Sequence, residues 1–298
     1  MRSEQLDRHA LGQALTRLAN ASASDLMCRT ARSIAAVAAR RIGLTGAPGS
    51  GKSTLAGHLA LQRATGRRLG ILAIDPSSPR SGGAILGDRI RMDELPGMSE
   101  LFIRSIGSRS TVDGLSDNLP EMLDLMDEFG FDEVLLETVG VGQVEYAARV
   151  QVDTLVLLLL PESGDMVQAM KAGIMEMADI FVVNKADLAG AQKMAIDIRR
   201  IASLARHGQG AWRPSVLLVS SSKPESITVL SNEIDRHQAW LGHGERRAEL
   251  LQQRARYRLR RLIERRLAEV VADQDPSFFE VPMAQQLDLT LKRISQIG

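Results

Sequence analysis

The chain has 298 residues, 44% apolar and 24% charged, with 37 basic and 36 acidic side chains and a net charge of +1. That length accommodates one large or two small domains, and the even charge balance excludes a protein whose main work is coating nucleic acid. A single cysteine, Cys28, excludes an internal disulfide framework, and with only five histidines, none at ligand spacing from it, a Cys/His zinc site is not expected either.

Residues 4–40 read as two helices, because Leu6, Ala10, Ala14 and Leu18 recur at helical spacing, as do Leu26, Ile34, Val37 and Ala38. The break falls near Asn20-Ala21-Ser22, which also offers a cap for the second helix. Arg2, Arg8, Arg17 and Arg29 give this stretch a resemblance to a mitochondrial transit peptide, but Glu4, Asp7 and Asp25 favour an ordinary helical extension and a cytoplasmic chain. The longest apolar runs, such as Leu155 to Leu160, are strand-sized and far below the roughly 18 residues of a membrane span, so no membrane partner is expected.

From Ile42 the texture changes to short apolar runs alternating with amphipathic stretches. Strands are expected at Ile42–Thr45, Leu69–Ile74, Leu101–Ile103, Glu133–Glu137, Thr154–Leu160, Ile180–Val183 and Ser215–Val219, with helices at 52–66, 117–129, 165–177, 190–206 and 225–241. Several strands are nearly continuous in Val, Ile and Leu, as strands covered on both faces must be. The alternation predicts an α/β fold with a mostly parallel central sheet flanked by helices, and ligands at the carboxyl ends of the strands. After Gly242-His243-Gly244 the character shifts again: residues 246–266 hold nine arginines, and Ala255, Leu259, Leu262, Ile263, Leu267 and Val270 form a stripe on the same helix. The expectation is a solvated arginine face with one buried apolar edge, a subunit contact being the second reading; RNA binding is disfavoured because only Tyr257 interleaves the arginines. The expected organisation is a helical extension at 1–40, a nucleotide-binding domain at 41–242 and a helical arm at 243–298.

Gly46-Ala47-Pro48-Gly49-Ser50-Gly51-Lys52-Ser53 matches G-x-x-x-x-G-K-[ST] between an expected strand and an expected helix, the context this motif requires. Glycines let backbone N–H groups converge on phosphates, and the helix N-terminus adds positive partial charge. Lys52 supplies a point charge for the β- and γ-phosphates, and the Ser53 hydroxyl a ligand for Mg²⁺. Asn184-Lys185-Ala186-Asp187 follows the strand at 180–183. A carboxylate at Asp187 accepts from both N1–H and the 2-amino group of guanine, whereas adenine would leave it unpaired, so the pattern points to GTP and GDP. Asn184 is expected to tie this loop to the phosphate loop, Lys185 to cover the base, and a backbone N–H of Ser220-Ser221-Ser222 to reach guanine O6. Glu137 ends a strand three residues before Gly140, where such proteins hold Mg²⁺ or its water. The Gly140 N–H is a candidate contact for the γ-phosphate. Asp75 and Asp88 are further candidates for the metal sphere. No catalytic base is evident, which predicts slow turnover stimulated by a partner.

Taken together, Thr45–Thr54, Asp75-Pro76-Ser77-Ser78, Gly82–Arg89, Glu137–Glu145, Gly164-Asp165 with Gln168 and Lys171, and Asn184–Asp187 resemble the MeaB/ArgK family of P-loop GTPases. The resemblance places Thr54 with Gly46–Ser53 at the nucleotide. It carries Lys52, Asp75, Asp88 and Glu137 over as the catalytic and metal set, and makes 164–171 a switch that couples to a partner. It implies a chaperone that uses GTP to gate loading and protection of an adenosylcobalamin-dependent acyl-CoA mutase, with an adenosyltransferase as a further partner, a homodimer formed through the C-terminal arm, and no cobalamin held by the chain itself. Departures stand at Arg104-Ser105-Ile106-Gly107-Ser108-Arg109, where prolines are expected, at Asp113-Gly114, and at Ser220–Glu225, where a more glycine-rich loop is expected. Two other readings of the phosphate loop are a nickel-delivery GTPase and a small-molecule kinase. The first lacks the Cys/His ligands it would need, and Asn184–Asp187 speaks against the second.

Overall fold

The computed structural model describes residues 6–28, 38–76, 100–108, 118–138, 144–161, 173–204, 210–243 and 245–295. Seven strands are present there: β1 (Arg40–Gly46), β2 (Leu69–Pro76), β3 (Leu101–Ser108), β4 (Glu133–Glu137), β5 (Thr154–Leu159), β6 (Ile180–Val183) and β7 (Ser215–Leu218). They form one sheet in the order β3-β2-β4-β1-β5-β6-β7, and every neighbouring pair is parallel. All seven expected strands appear, and the sheet is wholly rather than mostly parallel. Chain order reverses on either side of β1, which opens a crevice at its carboxyl end.

The helices in order are α1 (Arg8–Asn20), α2 (Ala23–Cys28), α3 (Lys52–Arg63), α4 (Leu119–Glu128), α5 (Val144–Gln151), α6 (Ala191–Leu204), α7 (Pro224–Leu241), α8 (Arg246–Ala272) and α9 (Met283–Ser295). β4 and β5 are buried at every position because helices cover both faces of the sheet. Val134 and Leu136 pack with Leu11 and Leu15 of α1 and Met122 and Met126 of α4. Leu135 points the other way, into a cluster with Leu59 of α3 and Leu230 and Ile234 of α7. Helix α1 is therefore part of the main core, and its first turn is capped by Asp7, whose carboxylate accepts from the Ala10 N–H at 2.8 Å.

Two helical expectations differ from what is found. The segment 144–151 forms α5, which the pattern-based reading missed because eight residues give too few turns for a clear period. The expected helix at 165–177 falls mostly outside the described residues, and Ile174–Glu176 is a short 3₁₀ turn. Most of the second N-terminal helix, at 29–37, also lies outside them. Among the described residues no helix is long and apolar enough to cross a membrane.

The C-terminal region corrects the expected orientation of α8. Arg254, Arg258, Arg265 and Arg266 face the body rather than solvent, while Arg256 and Arg260 stay exposed as expected. Arg254 donates to Val150 O at 3.1 Å and to Asp153 at 2.9 Å, Arg258 pairs with Glu121 and Asp124, and Arg265 binds Asn118 Oδ1 and Ala21 O. Arg266 reaches Ser24 Oγ at 2.7 Å, and Glu269 accepts from the Ala23 N–H at 2.8 Å. The outward face carries Leu259, Ile263 and Leu267, at 60%, 50% and 39% exposure, with Ala255 also exposed; of the expected stripe only Val270 is buried, and Leu262 is half-buried. Carboxylates and open carbonyls contributed by distant segments call for cations, and they outweigh the apolar stripe in setting which side turns inward.

This arrangement sets the sizes of two substitutions. The Arg254 and Asp153 side chains are 10% and 2% exposed, and burial lowers the guanidinium to about 10 although Asp153 opposes the shift. Arg254→Ala leaves the Asp153 carboxylate buried without its cation, an expected loss of about 3–5 kcal/mol. Arg258 is 46% exposed while its partner Glu121 is 6% exposed, so its removal is expected to cost less than that of Arg254, about 1–3 kcal/mol. Urea denaturation of the two variants measures the difference.

Candidate nucleotide site

The glycine loop leaves β1 at Gly46 and enters α3 at Lys52. Gly46, Gly49 and Gly51 have φ of 147°, 78° and 87°, a region that side chains with a Cβ rarely adopt. A Cβ on Gly46 would lie 2.3 Å from Leu158 O in the neighbouring strand, and one on Gly51 would lie 2.5 Å from Asn184 Nδ2. Glycine is thus favoured at both positions by φ, and at Gly46 also by close approach to a backbone atom. The Ser50 N–H closes a turn on Ala47 O at 3.1 Å, and among the described residues the buried Ser50 hydroxyl makes no hydrogen bond. Pro48, Gly49 and Thr54 are exposed.

Lys52 is buried, and its Nζ donates to Gly46 O at 2.8 Å and Ala47 O at 3.0 Å, arching over the loop. Ser53 donates its hydroxyl to Glu137 Oε1 at 2.6 Å, so the first turn of α3 and the end of β4 meet at a pair of oxygen donors. Thr138 pins that junction through Thr45 Oγ1 at 3.0 Å and Leu44 O at 3.1 Å. Hard oxygen donors of this kind suit Mg²⁺. Asp75 is the penultimate residue of β2; its side chain, and Asp88 and Gly140 entirely, lie outside the described residues.

The loop after β6 is joined to the glycine loop directly. Asn184 Nδ2 donates to Ser50 O at 2.7 Å, and the Asn184 and Ala186 N–H groups bind Leu159 O and Val219 O. Lys185 has φ 51°, the one positive value among described residues other than glycine, and its side chain is exposed. A left-handed conformation in a non-glycine residue costs on the order of 1–2 kcal/mol and persists where neighbours enforce it. Asp187 Oδ1 accepts from Ser220 Oγ at 2.5 Å. That hydrogen bond is the main cause holding the Asp187 carboxyl below its ordinary range.

The serine loop narrows one expectation. The Ser220 N–H is taken by Ser226 Oγ at 3.1 Å, and the Ser222 N–H approaches Ser220 Oγ at 3.4 Å. Among the described residues the Ser221 N–H alone of the three makes no hydrogen bond. Ser226, whose hydroxyl also donates to Lys223 O at 2.6 Å, was not singled out from sequence. Its position in the first turn of α7 was a weak hint, since serine is favoured there for satisfying loop amides.

A parallel sheet that feeds a glycine loop into a helix from its central strand, with an Asn-Lys-Ala-Asp loop bonded back onto that loop, defines a P-loop GTPase. The chain belongs to the MeaB family: residues 11–275 match the family described as methylmalonyl Co-A mutase-associated GTPase MeaB. A Pyrococcus abyssi relative is 38% identical across 86% of this chain and 78% of its own length. The Escherichia coli GTPase ArgK is 37% identical across 65% of this chain and 60% of its own, and the mouse mitochondrial methylmalonic aciduria type A homolog is 40% identical across 64% and 47%. The crystal structure of a LAO/AO transport system kinase superposes with a TM-score of 0.67 over 98% of this chain and 95% of its own at 24% identity, a likeness of fold alone. The same holds for Helicobacter pylori HypB in complex with nickel, at a TM-score of 0.50 and 17% identity over 67% of this chain and 87% of that one.

Proposed function

We propose that the chain binds GTP with Mg²⁺ at this site, hydrolyses it slowly unaided and faster with a protein partner, and uses the cycle to gate adenosylcobalamin loading and protection of an acyl-CoA mutase. The observation that carries the nucleotide part is the convergence of three loops: Lys52 and Ser53 meet Glu137 on one side, and Asn184 joins the glycine loop to Asp187 on the other. Lys52 exchanges the Gly46 and Ala47 carbonyls for β- and γ-phosphate oxygens. Ser53 and Glu137, with Asp75 and Asp88, hold Mg²⁺ or its waters, and Gly140 meets the γ-phosphate. The metal, when bound, supplies positive charge to the phosphate oxygens. Asp187 accepts from the guanine edge, Lys185 covers the base, and the Ser221 N–H reaches O6. Water bonds to the γ-phosphorus as the bond to the β–γ bridging oxygen breaks, releasing GDP and phosphate. With no general base evident in the sequence, catalysis rests on positioning and charge.

Lys52→Ala is expected to lower affinity for GTP by about a hundredfold or more while leaving the far-ultraviolet circular dichroism unchanged; titration with a fluorescent GTP analogue measures it. Support for the mutase as partner comes from the family description and the mouse relative. Affinity capture of the mutase with GDP or a GTP analogue, followed by turnover with and without it, tests that part, and a GTPase rate unmoved by saturating mutase would refute it.

The residues from 243 onward serve as a dimerisation arm in this reading. Its support is the outward apolar row on α8 together with Met283, Leu287 and Leu291 on α9, at 76%, 58% and 56% exposure. Exposed apolar rows of this kind favour association with a second copy. Ile263→Glu is expected to shift the chain from dimer to monomer in sedimentation velocity with GTP affinity retained.

A further inference from the structure

Helices α5 and α8 enclose a groove of about 630 Å³ that flanks the outward apolar row of α8. Its floor includes Val150 of α5 and Tyr257 of α8, the latter packed against the main core. Its rim carries Tyr146, Gln253, Arg256 and Arg260. Among the described residues no carboxylate lines it. Arg260 is engaged by Glu264 at 3.3 Å, whereas Arg256 has no acidic partner among the described residues. An apolar floor between two tyrosines, rimmed by an unneutralised guanidinium, matches a peptide segment that places an acidic side chain beside an apolar anchor.

The groove is also connected to the nucleotide site. Helix α5 starts at Val144, seven residues after Glu137, whose carboxylate binds Ser53. Tyr146 stands 50% exposed at the groove's edge, and its hydroxyl sits where a Cβ on Gly173 would come within 2.5 Å. Thus one tyrosine touches the groove, the helix tethered to Glu137 and the end of the 164–173 segment. On the far side, Arg254 fastens α8 to the last turn of α5 through Val150 O.

We propose that the α5–α8 groove is a docking site for an acidic, apolar-anchored segment of a partner protein, and that its affinity follows the nucleotide state. The proposal deepens the partner-coupled cycle above, and its test does not require the mutase. The probe is a fluorescein-labelled peptide, Glu-Asp-Leu-Phe-Glu, with its Gln-Asn-Leu-Phe-Gln counterpart as control, added to the full-length protein saturated with GDP or a non-hydrolysable GTP analogue. Fluorescence anisotropy is expected to show binding of the acidic peptide, at least fivefold different between the two nucleotides. Affinity is expected to fall at least tenfold in Arg256→Glu and Tyr146→Ala, and to be retained in Arg256→Lys. GDP affinity should be unchanged in all three, since none belongs to the nucleotide site. Equal binding of both peptides, no binding, or variants indistinguishable from the parent would overturn the groove assignment; equal affinity in both nucleotide states would overturn the coupling. Peptide binding that behaves as expected, beside a mutase that leaves GTPase turnover unmoved, would remove the mutase reading and leave the groove standing.

Discussion

Asp187→Asn is expected to move nucleotide preference from GTP to xanthosine triphosphate. Guanine offers two donors, N1–H and the 2-amino group, and a carboxylate accepts both. An asparagine amide can accept only one and sets its own N–H₂ against the 2-amino group. Xanthine replaces that amino group with a carbonyl, which the amide N–H₂ satisfies. Loss of a matched polar pair in a site built for it is worth about 10³–10⁴-fold, so GTP affinity should fall by that order while xanthosine triphosphate gains. The fold should be little affected, because Asp187 is exposed and its side-chain partner among the described residues, Ser220 Oγ, can donate to an asparagine oxygen equally well. Competition binding with both triphosphates measures the exchange, and unchanged preference would remove Asp187 from the base site. The same carboxylate sets a pH dependence. Its pKa is lowered in the folded chain, chiefly by the Ser220 hydroxyl, so it is ionised throughout the neutral range. GTP affinity should be flat from about pH 5 to 8 on its account and fall only in acid below the ordinary aspartate range. Ser220→Ala should bring that acid limb to higher pH.

Gly46→Ala is expected to damage the apo protein itself, not only its ligand binding. The new methyl group would lie 2.3 Å from Leu158 O, a backbone atom held in the β1–β5 ladder. Relief requires the two central strands to separate or the loop to leave its path. Overpacking of this kind costs about 1–3 kcal/mol, and the positive φ of 147° adds to it. Gly49→Ala is the control, because its φ of 78° is also unfavourable but a Cβ there meets nothing within 4 Å. Urea denaturation without nucleotide should show Gly46→Ala losing clearly more stability than Gly49→Ala. Equal losses would mean that φ alone, rather than the contact with Leu158, makes glycine necessary at position 46.

Much of the fold was legible because parallel strands covered on both faces read as short apolar runs, and seven such runs became seven strands. The eight-residue helix α5 was not legible: its Val-Glu-Tyr-Ala-Ala-Arg-Val-Gln carries barely two turns of pattern and looks like a continuation of the loop after Glu137. In the site, the residues that the motifs singled out and the structure describes do come together: Lys52 over its loop, Ser53 on Glu137, Asn184 on Ser50. The part played by Ser226 was not legible, since a lone serine in the first turn of a helix reads as a cap, and only the packed loop reveals that it takes the Ser220 N–H.

The sequence by itself determined the order of elements, the glycine loop and the Asn-Lys-Ala-Asp loop, because these depend on local periodicity and on backbone conformations that few residue types adopt. Only the tertiary structure decided which side of α8 is turned inward. From the helix alone, arginines belong in water and leucines in a core. What reverses that is a set of acceptors from Ala21, Asn118, Glu121, Asp124, Val150 and Asp153, more than a hundred residues away in the chain. Once folding gathers these acceptors on one surface, leaving them unpaired costs more than exposing a row of aliphatic side chains. That choice leaves the apolar row outward and the Tyr146–Tyr257 groove beside the helix that follows Glu137.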